Sequence, residues 1–226
     1  MLFRSYTSQL PDDIVAIIAH NKRISPKFKY IFYDDNDCEQ FIKKHYDDNV
    51  YNAFKSINDC YGAMKADFFR YCVLYTIGGV YLDIKSKLNV DLSTIIQPSD
   101  TCILDIPRNN LEPWRTNKPT FEQWLLMFAP KHPYLMEMIQ QMVYDITRRF
   151  EPTIAGYPVL TTKQKILHVT GPDAFTRAIR KSIRKLKVRA HRSIDYNKYF
   201  QLHCGNYRKM YVTKKHYSEY TLPLYK

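Results

Sequence analysis

A chain of 226 residues with 45% hydrophobic and 25% charged side chains has the make-up of one folded domain, not of a disordered or repetitive chain. Its formal net charge of +12 points to an anionic partner: substrate phosphates, nucleic acid or an acidic membrane surface. Cys38, Cys60, Cys72, Cys102 and Cys204 form no CxxC pair, so they are read as reduced thiols of a cytoplasmic chain without a zinc site. There is no signal peptide and no run long enough to span a bilayer. Any membrane contact is therefore expected to be peripheral, through basic surface, or through a segment outside this sequence.

In chain order, residues 2–6 suit a first strand, and Pro11-Asp12-Asp13 a helix start with acids in its first turn. Residues 29–33 read as a strand closed by an acidic turn at 34–37. Short helices follow at 38–45 and 50–57. Residues 63–77 form a longer helix candidate without Gly or Pro, and Gly78-Gly79 supplies its stop. In this apolar helix Asp67 and Arg70 stand at i,i+3 spacing, on one face. Residues 80–85 then read as a strand, with Val80, Leu82 and Ile84 on one face and Tyr81, Asp83 and Lys85 on the other. An acid at the end of an apolar strand lies where open α/β sheets bind ligands.

Residues 91–96 suggest a short helix and 101–106 a strand, while 109–120 and 152–163 read as loops. Residues 124–129 are apolar, and Lys131-His132-Pro133 precedes an amphipathic helix over 134–149. Residues 166–170 are expected as a strand, before a helix opened by Gly171-Pro172-Asp173 and studded with Arg177, Arg180, Lys181, Arg184 and Lys185. Alternating strands and helices imply an α/β fold with a mixed, mostly parallel sheet flanked by helices.

The pattern AxxADxxRYxxLxxxGGxYLDxx resembles glycosyltransferase family 32, whose members carry a sugar-binding region with a DXD motif. Leu10-Pro11-Asp12, Ala129-Pro130-Lys131-His132-Pro133 and Thr170-Gly171-Pro172 resemble further segments of that family. The spelling GGVYLDIKS and the tail KKHYSEYTLPLY are most similar to members encoded by large DNA viruses. The resemblance implies one GT-A-type domain over 1–226, with 187–226 closing over the donor site, that moves a hexose from a UDP- or GDP-sugar to a glycan or glycoprotein hydroxyl with retention. It names Asp83, Asp67 and Arg70 as catalytic candidates, with Asp67 and Arg70 holding donor-sugar hydroxyls. Tyr6 would stack on the nucleobase, and Tyr81, Lys85, Ser218 and Tyr220 complete the donor-binding set. Mn2+ or Mg2+ would sit on the pyrophosphate, with Asp83 and His216 as its protein ligands.

One departure stands out: Lys85 replaces the second acid of DXD. Three arrangements are compatible with that: a metal held by Asp83, His216 and phosphates, a metal-free site in which Lys85 supplies the charge, or a degenerate site that binds sugar nucleotide without turnover. Blander readings exist for other residues. Asp67 and Arg70 suit a plain ion pair, His132 a helix entry, His168 a core position on an apolar strand, Asp173 a helix start, and the basic helix a solvated face. A nucleic-acid-binding protein is the rival class, but the basic residues are dispersed over several elements, so no nucleic acid is expected.

Overall fold

The computed structural model describes residues 1–4, 10–107, 119–154, 156–157, 159–187, 190–202, 204 and 216–226. Strand β1 (Leu2–Arg4) pairs in parallel with β2 (Ile31–Tyr33), and α1 (Asp12–Ile24) makes the crossover. Acids in the first turn of α1 and Lys22 and Arg23 in its last turn match the helix dipole at both ends. The acidic run after β2 is not the expected turn. Asp34 accepts from the Asp37 amide and Asp37 from the Asp34 amide, a capping box that starts α2 (Asp35–His45).

Helix α3 (Asp48–Ser56), capped by Asp47, leads to α4 (Gly62–Ile77). Residues 66–74 of α4 are all buried, as expected for a helix apolar on every side. Gly78 ends it with φ 66°, its amide donating to the Leu74 carbonyl, and β3 (Gly79–Leu82) begins at once. A Cβ at Gly78 would lie 2.7 Å from Pro130 Cδ and 2.8 Å from Pro130 N. Strain and clash add here, so Gly78→Ala is expected to cost about 3 kcal/mol in urea denaturation. Gly79→Ala, where φ is 101° but the space is open, should cost less.

After β3 come β4 (Lys87–Leu88), a 3-10 turn at Leu92–Thr94, β5 (Cys102–Asp105) and β6 (Leu125–Phe128). Helices α5 (Pro133–Thr147), α6 (Thr162–Val169) and α7 (Pro172–Leu186) follow, then β7 (Arg192–Ile194), α8 (Tyr196–Tyr199), β8 (Phe200–Gln201) and a 3-10 turn at Tyr217–Glu219. The main sheet runs β2-β1-β3-β6-β5-β7, and β6 alone is antiparallel to its neighbours. This is the mixed, mostly parallel α/β arrangement expected. β4 and β8 form a separate two-stranded ribbon.

Period-two alternation divides the core. Tyr81, Leu126 and Phe128 face Phe68, Tyr71, Leu135, Met138 and Phe175, whereas Val80, Leu82, Leu125 and Met127 face Leu88, Leu92, Tyr196 and Phe200. Residues 166–170, expected as a strand, belong instead to α6 and its C-cap. Thr161 and Gln164 form a capping box that nucleates the helix, and Ile166 and Val169, three apart, bury one face of it.

The basic helix α7 is not simply a solvated face. Lys181 and Lys185 both lie 2.6 Å from the Glu137 carboxylate, while Arg177 and Arg180 donate to the carbonyls of His168 and Pro119. His132 caps α5 by accepting from the Tyr134 amide. The chain end straps down against the α3–α4 junction. The Asn58 amide donates to the Leu224 carbonyl and the Lys226 amide to Ser56, with Leu224 and Tyr225 buried. Among the described residues no helix is long and apolar enough to cross a membrane.

Candidate functional site

The site lies where β3 ends. Its strand stops at Leu82, three residues short of the expected reach, because the next four residues close a turn. The Asp83 amide makes one last bond to the Trp124 carbonyl (2.8 Å), and the Ser86 amide then donates to the Asp83 carbonyl (2.8 Å). Asp83 and Lys85 are therefore turn residues, not neighbours on a strand face. The turn is pinned on both sides. Ile84 packs against Ile14 and Ile17 of α1, and the Cys204 amide donates to the Lys85 carbonyl (2.8 Å). Asn21 holds the exit, giving a bond to the Ser86 carbonyl and accepting one from the Leu88 amide, both 2.9 Å.

The N-terminal half of α4 points its two polar side chains at this turn. Arg70 Nη2 lies 3.1 Å from Asp67 Oδ1 and 3.3 Å from Asp83 Oδ1, so one guanidinium ties helix to turn. Its Nη1 donates to the Gln123 carbonyl at 2.6 Å, and its plane lies over the Tyr81 ring, 4.7 Å from the centroid. Asp67 is only 5% exposed and receives two more hydrogen bonds, from Gln123 Nε2 (3.1 Å) and Thr170 Oγ1 (2.9 Å). Tyr71 buttresses the group through its hydroxyl, which donates to Gln123 Oε1 and to the Thr170 carbonyl.

Burial pushes the Asp67 carboxyl up to about 6, with the Arg70 charge and the Thr170 and Gln123 bonds opposing it and the Asp83 charge adding to it. Arg70 stays firmly protonated: burial disfavours its charge, but Tyr81, Asp83 and Asp67 outweigh that. Asp67, Arg70, Tyr81 and Asp83 thus converge as one constellation. A buried acid and a partly exposed one with a shared cation, at the C-terminal end of a sheet strand, are suited to holding hydroxyl groups of a polar ligand.

Residues 2–101, which contain this constellation, match the family model described as "Glycosyltransferase sugar-binding region containing DXD motif". These residues belong to that family. The glycosyltransferase region has relatives among fungal enzymes. The chain is 26% identical over 168 residues to the initiation-specific alpha-1,6-mannosyltransferase of Candida albicans, covering 67% of this chain and 43% of the relative. It is also 26% identical over 173 residues to inositol phosphoceramide mannosyltransferase 3 of Schizosaccharomyces pombe, covering 74% of this chain and 40% of the relative. The chain thus spans less than half the length of these curated relatives. In fold it is similar to the PaToxG glycosyltransferase, with a TM-score of 0.56 at 15% identity, covering 82% of this chain and 69% of that one. The GT-A-type architecture expected from the motif is the one observed.

Other predicted donor-site residues of this glycosyltransferase region are placed less centrally. Tyr6 lies outside the described residues. Ser218 and His216 belong to the C-terminal 3-10 turn, where His216 Nδ1 and Ser218 Oγ are 2.7 Å apart. The carbonyl of Tyr220 accepts from Thr162 Oγ1 (2.7 Å), and its ring meets Tyr61 edge-on, so this stretch rests on the start of α6. His216 is held below its usual range by burial and, secondarily, by the charges of Lys85 and Lys163, with Glu219 opposing.

Two functional residues were missed from sequence. Thr170 carried a signal, the TGP segment, whose Gly171 is required because a Cβ there would lie 2.6 Å from Leu167 Cα. Gln123 carried none, being one polar residue ahead of an apolar run. His168, not on a strand, instead sits 3.2 Å from the buried carboxylate of Asp173, an acid doing more than offsetting a dipole. A groove of about 910 Å3 runs along α5 between Val50, Tyr75, Lys131 and Arg148, but at the opposite end of the sheet from Asp83.

The divalent ion implied by the DXD resemblance is a poor match to the donor set. Among the described residues no three His, Cys, Asp or Glu side chains are grouped to share an ion. The motif itself offers one carboxylate, already engaged by Arg70, and an ammonium two residues on.

Proposed function

We propose that this chain transfers a hexose from a nucleotide-sugar donor to an acceptor hydroxyl of a glycan or glycoprotein, with retention of configuration. The observation that carries the reading is the Asp67–Arg70–Asp83 constellation at the end of β3, inside the matched sugar-binding region. Asp67 and Arg70 hold donor-sugar hydroxyls and Asp83 orients the sugar or ribose, so that the anomeric carbon is presented to the acceptor. The bond from that carbon to the diphosphate oxygen breaks with its electron pair on the phosphate. The acceptor oxygen bonds to the same carbon on the same face, and its proton passes to the departing phosphate oxygen. Tyr6, Ser218 and Tyr220 complete the pocket in this reading, on the nucleobase and diphosphate sides.

The names of the relatives put mannose first among donor sugars. The test is hydrolysis of GDP-mannose, UDP-glucose, UDP-galactose and UDP-N-acetylglucosamine, with manganese or with EDTA. One donor is expected to turn over; no turnover and no bound donor would remove the assignment. Lys85 favours a second reading, a sugar-nucleotide-binding relative without turnover, which predicts binding alone in the same screen. The rival nucleic-acid reading has less support, because much of the positive charge on α7 is spent on Glu137 and on backbone carbonyls.

A pH limb follows from Asp67. Its ionised form accepts sugar hydroxyls, and its carboxyl takes up a proton near pH 6. kcat/KM for the donor should therefore decline below about pH 6, by roughly tenfold per pH unit. Asp67→Asn cannot titrate, so it should lower activity throughout and flatten the limb. An unchanged limb in that variant would assign it to another group.

A further inference from the structure

A diphosphate leaving group needs positive charge beside it as the glycosidic bond breaks. In this site the carboxylates are poorly arranged to recruit that charge as a metal ion. A hard divalent ion on a phosphate is usually held by one or two carboxylates. Here Asp67 is engaged by Arg70, Gln123 and Thr170, and Asp83 by Arg70. An ion placed at Asp83 would also be repelled by Lys85, whose turn leaves it no latitude to swing away with the backbone.

We propose that Lys85 is the resident cation of the donor site: its ammonium binds the donor diphosphate and takes the place of a divalent metal ion. The inference rests on the donor-site reading above. Its geometric basis is the turn at 83–86, which is fixed by three backbone hydrogen bonds of 2.8 Å and by Ile84 seated between Ile14 and Ile17. Lys85 is half-buried on that turn, its carbonyl is held by the Cys204 amide, and its charge acts on His216 of the C-terminal segment. The charge of Lys163, at the start of α6, acts on the same histidine. The two lysines together carry the formal charge of one divalent ion, and Glu219 is the acid within reach of the same histidine. An ammonium on a fixed turn is a strong point-charge partner for phosphate. Asp83, held in place by Arg70 and 25% exposed, then orients sugar or ribose rather than a metal ion.

The test is calorimetric titration of UDP and GDP into the whole chain, in EDTA and in manganese, with thermal unfolding of each variant as the folding control. Wild type is expected to bind its preferred nucleotide with Kd values within about threefold in the two buffers. Lys85→Ala should weaken that binding in EDTA by about 10- to 100-fold, the loss expected for one charge-assisted phosphate contact. Lys85→Met, which keeps the alkyl stem, should behave alike. Lys85→Asp, which restores D-x-D, should bind poorly in EDTA and recover in manganese. Wild-type binding that disappears in EDTA and returns with manganese would overturn the role of Lys85 while keeping the donor site. Wild-type affinity in folded Lys85→Ala would overturn it too. No binding of either nucleotide to wild type in either buffer would overturn both this inference and the donor-site reading.

Discussion

Asp83→Ala is expected to remove donor turnover without unfolding the protein. kcat/KM for donor hydrolysis is expected to fall by about 100-fold or more, the usual loss when one group that orients or stabilises the reacting charge is deleted. Stability should change little, and the structure gives the reason. Asp83 sits in a turn, its side chain is 25% exposed, and its main-chain bonds to Trp124 and Ser86 do not involve the carboxylate. Arg70 keeps Asp67, the Gln123 carbonyl and the Tyr81 ring when Asp83 is shortened. Asp83→Asn is the sharper control, since it keeps volume and acceptor oxygen but loses charge. Activity of Asp83→Ala within threefold of wild type, with the fold intact, would remove Asp83 from the site.

Much of this constellation was legible because its spacing is local. Asp67 and Arg70 are three residues apart in a helix that has to be buried, and Gly78-Gly79 fixes where the next strand begins. Convergence on Asp83 then follows from a helix and a strand running back along each other. The same local reading overran at the strand end. Alternation predicted Lys85 on the strand face of Asp83, but the Ser86 amide bends the chain before that register is reached. It also misjudged residues 34–37 and 166–170, where a capping box decides the conformation and the apolar run is too short to show its period.

Gln123 and Thr170 were illegible for a different reason. Their partner Asp67 is 56 and 103 residues away in sequence, and no periodicity encodes such a meeting. The β4–β8 ribbon is similar, two residues from each side pairing across more than a hundred positions. Composition left one point open. The charge of +12 pointed to an anionic partner without locating it, and several cations of α7 are occupied by Glu137 and by carbonyl groups. Charge counts cannot see which cations are already used.

Arg70→Met is expected to be the most damaging single change to stability, about 3–5 kcal/mol in urea denaturation. Arg70 is 6% exposed and is shared by two carboxylates, so its loss leaves Asp67 buried among Gln123, Thr170 and Tyr71 without a cation. The carboxyl of Asp67 is already pushed to about 6 with Arg70 present. Without it, Asp67 takes up a proton at neutral pH, which caps the penalty and gives the experiment its signature. The variant should lose less stability at pH 5 than at pH 8, because the penalty of an acid whose folded pKa is raised grows as pH climbs from its unfolded pKa, about 4, to its folded one, and removing Arg70 moves that upper limit above about 6. Arg70→Lys should not rescue, since one ammonium cannot span Asp67, Asp83 and the Gln123 carbonyl while covering the Tyr81 ring. Adding Asp67→Asn to Arg70→Met should recover part of the loss, and the size of that recovery measures the coupling of the pair. A stability change below about 1 kcal/mol in Arg70→Met would mean that the pair behaves as a solvated surface bridge, and the buried constellation at the end of β3 would have to be abandoned.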